Sequence, residues 1–408
     1  MLSTLGRLNA VPLPKRFEKA AHVKIRDIET FLFSPERGGT LLFVRVMTTD
    51  DLYGWGEAYV GGGQATAVAE HVHAIERAVI GRDPRHIRQL ALALFDDFAI
   101  RQVSFDYQCA WSAIEIALWD ILGKSAGLPV HQLLGGKIRN DLRVYANGWW
   151  IGAGGLDDVL ERAVAITAQG YDAIKWDPIP GPRRTFISRQ DEDAAVARLL
   201  ALREAVGPKV EIMVDGHRRL APAQAIRLGE RFMEADIAWY EEPCPPDNLE
   251  LTAQVRSRIS APVVVGEAFC SKEQFLPVFA SGAADIINPD VCAVGGIGVI
   301  FDIAAMAQVH GVAISPHNST STAVGLAATA QVASLMPNFM IAEVFVNLIE
   351  DCAALAVEPL PVAAGWLQVP DAPGLGIDLD VERLRRHDYR PSAPRKIRHV
   401  ADEFPVRP

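Results

Sequence analysis

Acidic and imidazole side chains recur at the ends of short apolar runs in the second half of this 408-residue chain. The residues are Asp215, Glu241, Glu267, Asp290, His317 and Glu343, which follow one another at steps of 26, 26, 23, 27 and 26 residues. Each step is about the length of one strand and one helix, so each side chain is expected at the same end of its strand. The spacing therefore predicts that these groups converge on one site.

Three carboxylates from adjacent predicted strands, Asp215, Glu241 and Glu267, are the candidate ligands of a metal ion. Like charges at close range raise each other's pKa, and a divalent cation between them removes this conflict. The candidate ligands are three carboxylates, with no cysteine and no clustered imidazoles, which favours a hard ion. Mg²⁺ is therefore the predicted cofactor. Such a ligand set leaves coordination positions open for substrate oxygens.

The remaining polar residues at the strand ends are typical of acid and base chemistry. Asp290 and His317 follow neighbouring strands, and a carboxylate beside an imidazole fixes its tautomer and raises its basicity. His217 lies two residues beyond the first metal ligand, shares its strand face, and is expected on the side of the site opposite His317. Lys175 and Asp177 end an earlier run and are assigned to the substrate, with Lys175 as the partner of its carboxylate.

Eight short apolar runs alternate with seven helix-like segments from about residue 143 onward. The runs are Arg143–Gly148, Asp172–Asp177, Glu211–His217, Ile237–Pro243, Pro262–Ala268, Asp285–Val291, Val312–Asn318 and Phe339–Phe345. The helix-like segments include Leu156–Gln169, Glu192–Val206, Pro222–Glu234 and Ser271–Ala280. Strands that alternate with helices form parallel sheets. Eight such strands predict an α/β fold closed into a TIM-type barrel, whose active site lies at the C-terminal ends of the strands.

The region before the barrel has a mixed pattern. Strands are predicted over Val23–Phe33 and Leu41–Thr48, and the second is expected to run on to about Glu57. Apolar periodicity predicts helices over Gln64–Ile80 and Asp106–Ala126.

The pattern divides the chain into three predicted regions. An α+β capping domain occupies 1–142, with 1–20 as a loose extension because no periodicity is present there. The barrel occupies 143–347. The Pro- and Gly-rich segment 348–408, where the helical pattern lapses, is expected to return to the capping domain.

Composition narrows the classes of partner. Half of the residues are hydrophobic, 22% are charged, and the net charge is −10, so bulk binding of nucleic acid or of an anionic membrane is not expected. The N-terminal residues lack an apolar secretory core, and no stretch is apolar enough to predict a membrane span. The five cysteines form no CxxC pair, which is typical of a reduced, cytoplasmic protein.

Taken together, the motifs resemble the enolase superfamily, in its mandelate racemase-like group, and are most similar to sugar-acid dehydratases of the galactonate dehydratase kind. The matching motifs are Gly54–Glu57, Ala117–Lys124, Leu133–Gly136, Lys175–Asp177, Asp215–His217, Tyr240–Pro243, Gly266–Glu267, Asn288–Asp290, Gly295–Gly296 and Pro316–His317. The resemblance covers nearly the whole chain from about Val23. It implies a (β/α)₇β barrel with a capping domain built from both termini, assembly into a homo-oligomer, and Mg²⁺ that binds the substrate carboxylate and the enediolate made from it. It further implies that Glu343 hydrogen-bonds to an enediolate oxygen.

One departure from that group bears on the reaction. Racemase-type members carry Lys-x-Lys on the second strand, and the second lysine is a base, whereas this chain has Asp177 there. The Asp215-x-His217 pattern is that of the dehydratase-like members, in which this histidine serves the leaving hydroxyl. We therefore predict a hydro-lyase: His317 removes the α-proton of a small sugar acid, and His217 protonates its departing 3-hydroxyl. The product is a 2-keto-3-deoxy acid.

Alternatives from other classes stay open at this point. The same enediolate serves a racemase or epimerase of a hydroxy acid, or a cycloisomerase of an acid-sugar lactone, and a barrel that only binds a ligand is a further alternative. The family resemblance implies that loops of the capping domain select the substrate; the candidates are Ser34–Thr40 and Tyr59–Gln64. The segment Pro178–Arg189 is expected to cover the site, where Arg183 and Arg184 would suit a polyhydroxylated or second anionic end.

Overall fold

The computed structural model describes residues 23–36, 38–61, 63–98, 104–180, 187–319, 321 and 323–391. Three antiparallel strands open the described chain: β1 (Ile25–Phe33), β2 (Leu41–Thr48) and β3 (Tyr53–Ala58). The predicted continuation of the second strand to Glu57 is wrong, because the chain reverses between β2 and β3. Asp51 adopts a left-handed conformation with φ of 63° in this turn, and the Thr48 N–H donates to the Leu52 carbonyl at 2.9 Å.

Helices cover one face of this small sheet. They are α1 (Ala65–Val79), α2 (Ile87–Phe98), α3 (Phe105–Ala126) and the short α4 (Val130–Leu133). The sequence predicts α1 and α3 to within a residue at each end, but α2 was missed. α3 lies directly on β3 because Gly56 has no side chain: a Cβ there would stand 1.7 Å from the Ala113 carbonyl oxygen.

Eight parallel strands form the barrel, and each lies within one of the predicted runs except β4, which begins two residues before its run. They are β4 (Asp141–Asn147), β5 (Ala173–Trp176), β6 (Glu211–Asp215), β7 (Ile237–Glu241), β8 (Val263–Val265), β9 (Ile286–Ile287), β10 (Ala313–Ile314) and β11 (Ala342–Phe345). Neighbours pair in chain order from β4 to β10, and β11 pairs with β4. A bridge between Ile314 and Phe339 joins β10 to the approach to β11 and closes the barrel. The predicted TIM-type barrel with an N-terminal cap is confirmed.

Seven helices of the described chain connect these strands. They are α5 (Leu156–Ala168), α6 (Arg189–Val206), α7 (Pro222–Phe232), α8 (Leu249–Arg256), α9 (Leu276–Ser281), α10 (Ile297–Val309) and α11 (Val324–Ala333). Local signals set several starts: the Ser188 hydroxyl accepts from the Asp191 N–H at 3.0 Å, and Pro222 occupies the first turn of α7. Apolar side chains on these helices cover the outer face of the strands, which explains why most strand residues are buried.

The barrel interior is filled by one apolar residue from most strands. The cluster consists of Tyr145, Ala173, Met213, Trp239, Val264, Ile286 and Ile341, all buried. Side chains alternate across a strand, so the residue two positions later points back into the barrel, one layer higher. Six of these seven later residues are polar and buried, and the seventh is Gly266; the six are Asn147, Lys175, Asp215, Glu241, Asn288 and Glu343. The apolar layer is thus the floor of a polar site at the C-terminal ends of the strands.

The C-terminal segment returns to the N-terminal sheet. It contains α12 (Ile349–Leu355), β12 (Val362–Ala363), β13 (Trp366–Gln368) and α13 (Val381–Arg386), so the expectation that helices lapse after residue 345 is wrong. Asp378 accepts hydrogen bonds from Tyr53 Oη and Trp55 Nε1, each at 2.6 Å. The boundaries of the predicted regions stay a prediction. In the described part of the chain, no helix combines the length and apolar character needed to cross a membrane.

Candidate active site

Three carboxylates meet where the strands end. Asp215 ends β6 and Glu241 ends β7, and these strands pair so that the two residues lie side by side. Glu267 follows β8 after Gly266, whose φ of 141° redirects the chain into the barrel mouth. One oxygen from each carboxylate lies within 4.8 Å of the others, and this is the one such group that the described residues contain. The structure therefore brings together the three residues predicted as metal ligands.

The chemistry of this group fits a hard divalent cation. Glu241 is buried, and its Oε2 accepts from Trp239 Nε1 at 3.1 Å. Burial raises the pKa of Glu241 to about 8. The positive charge of Lys175 opposes this rise in pKa, whereas the negative charges of Asp215 and Glu267 add to it. Such mutual repulsion is what a bound cation would relieve. All three donors are carboxylate oxygens, which Mg²⁺ prefers.

His317 and Asp290 form a buried pair on one side of the carboxylates. Their backbones make a parallel bridge beyond the ends of β9 and β10, and His317 Nδ1 lies 2.8 Å from Asp290 Oδ2. His317 Nε2 faces the three carboxylates that could hold a metal ion, here called the metal group, and lies 3.1 Å from Glu267 Oε2. Burial lowers the pKa of the imidazole, but Glu343, Glu267 and Asp290 outweigh it and raise the pKa well above its usual value. The structure thus brings Asp290 beside His317, as the sequence predicts.

His217 lies on the other side, where it contacts Asp215. Its Nε2 is 3.3 Å from Asp215 Oδ2, and its Nδ1 is 3.0 Å from Asp177 Oδ2. His217 contacts Asp215, whereas His317 contacts Glu267, so the two imidazoles flank the carboxylate group as predicted. Each presents Nε2 to the carboxylates and Nδ1 to an aspartate of its own.

Asp177 was predicted to contact the substrate, but the structure places its side chain against other protein groups. Its carboxylate lies beneath His217 and accepts from Arg219 as well as from the Ile179 N–H at 3.1 Å. The side chain is 16% exposed because these partners surround it. The sequence pattern could not show this, because the contact depends on how the loop after β6 folds over the end of β5.

Lys175 and Glu343 complete the floor of the site. Lys175 Nζ lies 2.8 Å from Glu241 Oε1 and 2.9 Å from Glu343 Oε1, and its side chain is 2% exposed. Glu343 also accepts from Asn147 Nδ2 at 2.7 Å and from the Asn318 N–H at 2.9 Å. Burial would raise the pKa of Glu343, but Lys175 and His317 lower it to about 2. The ionised carboxylate holds Lys175 in place, and its role toward an enediolate stays a prediction.

A cavity of about 880 Å³ opens above these residues. Lys175, Asp215, His217, Glu267 and His317 line it from the barrel, and residues 39–40, 59–61 and 63–65 line it from the N-terminal region. The predicted loops at 34–40 and 59–64 thus reach the cavity in part. The third predicted loop, Pro178–Arg189, is described only in part. Its residues 181–186, which include Arg183 and Arg184, lie outside the described residues.

Sequence reasoning assigned no individual role to four residues at this site, although Tyr59 lies in a loop predicted to select the substrate. Asn147 and Asn318 donate to Glu343, the Tyr59 ring lies 6.2 Å from that of His317, and Arg218 pairs with Glu267. Asn147 could have been found, because it ends the first predicted run and stands 28 residues before Lys175, one strand-and-helix step. Tyr59 and Arg218 carry no such signal, since both are in loops.

A closed barrel whose strand ends carry a carboxylate group between two imidazoles is typical of an enzyme that performs acid–base chemistry. Comparison with known proteins identifies the family. Residues 158–384 match the enolase C-terminal domain-like family, and residues 32–135 match the mandelate racemase / muconate lactonizing enzyme N-terminal domain. The chain belongs to the enolase superfamily.

Named relatives extend over almost the full chain. A D-galactarolactone cycloisomerase of Agrobacterium fabrum is 34% identical, over 90% of this chain and 98% of its own. A D-galactonate dehydratase of Variovorax paradoxus is 29% identical, over 89% and 94%. The crystal structure of a mandelate racemase/muconate lactonizing enzyme from Sulfitobacter sp. superposes with a TM-score of 0.84 at 31% identity, over 90% and 96%. The resemblance to sugar-acid dehydratases is therefore confirmed.

Proposed function

We propose that this enzyme is a hydro-lyase that dehydrates a sugar acid to a 2-keto-3-deoxy acid. The observation that carries the proposal is the pair of imidazoles on two sides of the carboxylate group, each backed by its own aspartate. Dehydration needs one group that removes the α-proton and another that protonates the departing hydroxyl. A relative named as a dehydratase supports the same reaction.

Asp215, Glu241 and Glu267 would hold Mg²⁺. When bound, the ion supplies a positive charge against the negative charge that develops on the substrate carboxylate. Lys175 provides a second cation beside the same position, since its Nζ lies between Glu241 and Glu343. Because Lys175 is buried and lies above the apolar floor, these charges act more strongly than they would in solution.

His317 takes the α-proton on Nε2, and Asp290 stabilises the imidazolium that results. The electrons of the broken C–H bond pass into the carboxylate and give an enediolate. Collapse of the enediolate forms the C2–C3 double bond and breaks the C3–O bond, with both electrons leaving on oxygen. His217 gives a proton to that oxygen, which departs as water, and the enol product ketonises.

A cycloisomerase is the second candidate, because this chain matches the Agrobacterium relative with that name over 98% of the relative's length. Such a reaction also begins by forming an enediolate but expels an internal ring oxygen. Racemisation is less well supported, because Asp177 occupies the place of the second base and is held by Arg219.

A screen of aldonic and aldaric acids and their lactones with Mg²⁺, read by keto-acid formation, tests the proposal. The expected substrate gives a 2-keto-3-deoxy acid, and His317→Asn lowers the rate about 10²–10⁴-fold, the share of one general base. Ring opening of a lactone without loss of water would favour the cycloisomerase. Full turnover in His317→Asn would remove the assigned base.

A further inference from the structure

The carboxylate of Asp177 is completely engaged by its protein partners. Oδ1 accepts from Arg219 and from the Ile179 N–H at 3.1 Å, while Oδ2 accepts from His217 Nδ1 at 3.0 Å. Asp177 follows β5, and His217 and Arg219 follow β6. The aspartate therefore ties the loops after two neighbouring strands together, directly behind the imidazole.

Arg219 fixes Asp177 in that place. Its side chain is 5% exposed, its Nε donates to the Gly216 carbonyl at 3.0 Å, and an Nη donates to the Ile179 carbonyl at 3.2 Å. These donors bind groups inside the protein, and Arg219 is not among the described residues that line the cavity. Its remaining ion pair holds one oxygen of Asp177 and so directs the other oxygen to His217.

The backbone around His217 is held in an uncommon conformation. His217 and Arg218 both have positive φ, 49° and 60°, which L-residues other than glycine adopt rarely and at a cost in energy. Hydrogen bonds from the Gly216 and Arg218 N–H groups to the Glu241 and Glu242 carbonyls hold this turn to β7. The turn brings the ring to the barrel mouth, but rotation about the bond to the ring still decides which nitrogen faces the cavity.

We propose that Asp177, held by Arg219, is a positioning residue that directs His217 Nε2 toward the departing hydroxyl. The inference rests on the proposed dehydration and assigns Asp177 to the elimination step alone. His217 Nε2–H gives its proton to the C3 oxygen as the C3–O bond breaks, and the imidazole is left neutral. Asp177 neither touches the substrate nor takes part in removal of the α-proton, because His317 and Asp290 lie on the other side of the carboxylates.

The test is Asp177→Asn, which preserves size but not hydrogen-bonding pattern. Arg219 and the Ile179 N–H can only donate, so they retain the amide oxygen and turn its NH₂ toward His217 Nδ1. Nδ1 then loses its acceptor. We expect keto-acid formation to fall about 10²-fold or more, the share of one general acid. In D₂O, recovered substrate should still gain deuterium at C2, because His317 continues to exchange the α-proton.

Asp285→Asn is the matched control. Asp285 also accepts from an arginine, Arg256 Nη2 at 2.7 Å, and from a backbone N–H, that of Val263 at 3.0 Å, but it precedes β9 at the opposite end of the barrel. The control should keep the wild-type ratio of exchange to elimination. Equal loss of exchange and elimination in Asp177→Asn, or loss of neither, would overturn the inference.

A crystal structure of Asp177→Ala, which leaves His217 Nδ1 without any polar partner at position 177, gives a second measurement that does not depend on activity. We expect the His217 ring to turn so that Nε2 no longer lies near Asp215. An unchanged ring would overturn the positioning role. Failure of the proposed dehydration is distinguishable, because it would appear as absence of keto acid from the wild-type enzyme, whereas the ring orientation would still report on Asp177.

Discussion

The two histidine–aspartate pairs look alike at the ring but are built differently. His317 and Asp290 stand on neighbouring strand ends joined by a backbone bridge, and both are buried. His217 belongs to a turn with positive φ, and its aspartate reaches it from another loop. In both pairs the carboxylate contacts Nδ1 and leaves Nε2 facing the metal group.

The difference suits the two proton transfers of the proposed dehydration. Strand register fixes the His317 pair, so its geometry follows from the fold. The His217 pair depends on Arg219 and on the turn, and its ring is 28% exposed, against 7% for His317. A base that removes a weakly acidic proton benefits from the rigid, dry position. An acid that must reach a leaving hydroxyl can occupy the more open one.

The largest effect is expected from a change in the carboxylate group that both histidine–aspartate pairs face. Glu241→Gln places an amide among donors from Lys175, Trp239 and Asn288 and removes one candidate metal ligand. We expect keto-acid formation and C2 exchange to fall together by at least about 10³-fold, because the metal contributes several kcal/mol. Calorimetry should show weaker Mg²⁺ binding.

Glu242→Gln is the control for Glu241→Gln. Glu242 is the next residue and is equally buried, but it accepts from the Gly266 N–H at 3.0 Å and is not part of the metal group. Mg²⁺ should bind this variant as it binds the wild type. Equal loss of Mg²⁺ affinity in the two variants would contradict the assignment of Glu241.

The same difference explains how much the sequence could predict. Asp215, Glu241 and Glu343 extend the strand alternation of the barrel interior, so a constant step along the chain suffices to find these residues. The pairing of Asp290 with His317 follows from strand adjacency. The place of Asp177 could not be predicted, because it depends on two left-handed residues and a buried arginine that show no periodic signal.

The reversal at Asp51 and the helix α2 were missed for related reasons. Asp51 turns the chain through a left-handed residue, which apolar periodicity does not reveal. α2 has the alternation of a surface helix, but its exposed Leu92 and Phe95 blur the apolar face. Long-range register was therefore predictable here, whereas local turns with positive φ were not.

A smaller effect should separate the two aspartates. In the wild type the Cys292 N–H donates to Asp290 Oδ1 at 2.8 Å. In Asp290→Asn this N–H retains the amide oxygen, so the NH₂ turns toward His317 Nδ1. We expect C2 exchange and keto-acid formation to fall together by about 10–100-fold, the usual effect of losing an orienting partner. Asp177→Asn should instead separate the two rates. Exchange that persists in Asp290→Asn while elimination is lost would reverse the assigned roles.

The smallest effect concerns a carboxyl behind the rigid pair. Glu57 on β3 is buried, and its Oε2 accepts from the Gly325 N–H at 2.8 Å at the start of α11. Burial, opposed by that hydrogen bond and reinforced by the charge of Asp290, raises the pKa of Glu57 to about 8. The folded protein thus keeps a proton that the unfolded chain loses near pH 4.

Between about pH 4 and pH 8 the folded state therefore binds the extra proton, so the free energy of unfolding falls as pH rises. The contribution is complete below pH 4 and is lost as pH passes about 8, with a slope of at most about 1.4 kcal/mol per pH unit. Glu57→Gln should remove this part of the pH dependence, so the variant gains stability relative to wild type from pH 5 to pH 8 in urea titrations. Glu230→Gln, on the exposed face of α7, should not. If Glu57→Gln and wild type lose stability in parallel over that range, Glu57 does not retain its proton on folding. In that case the His317 side of the site has an additional negative charge, which the His217 side lacks.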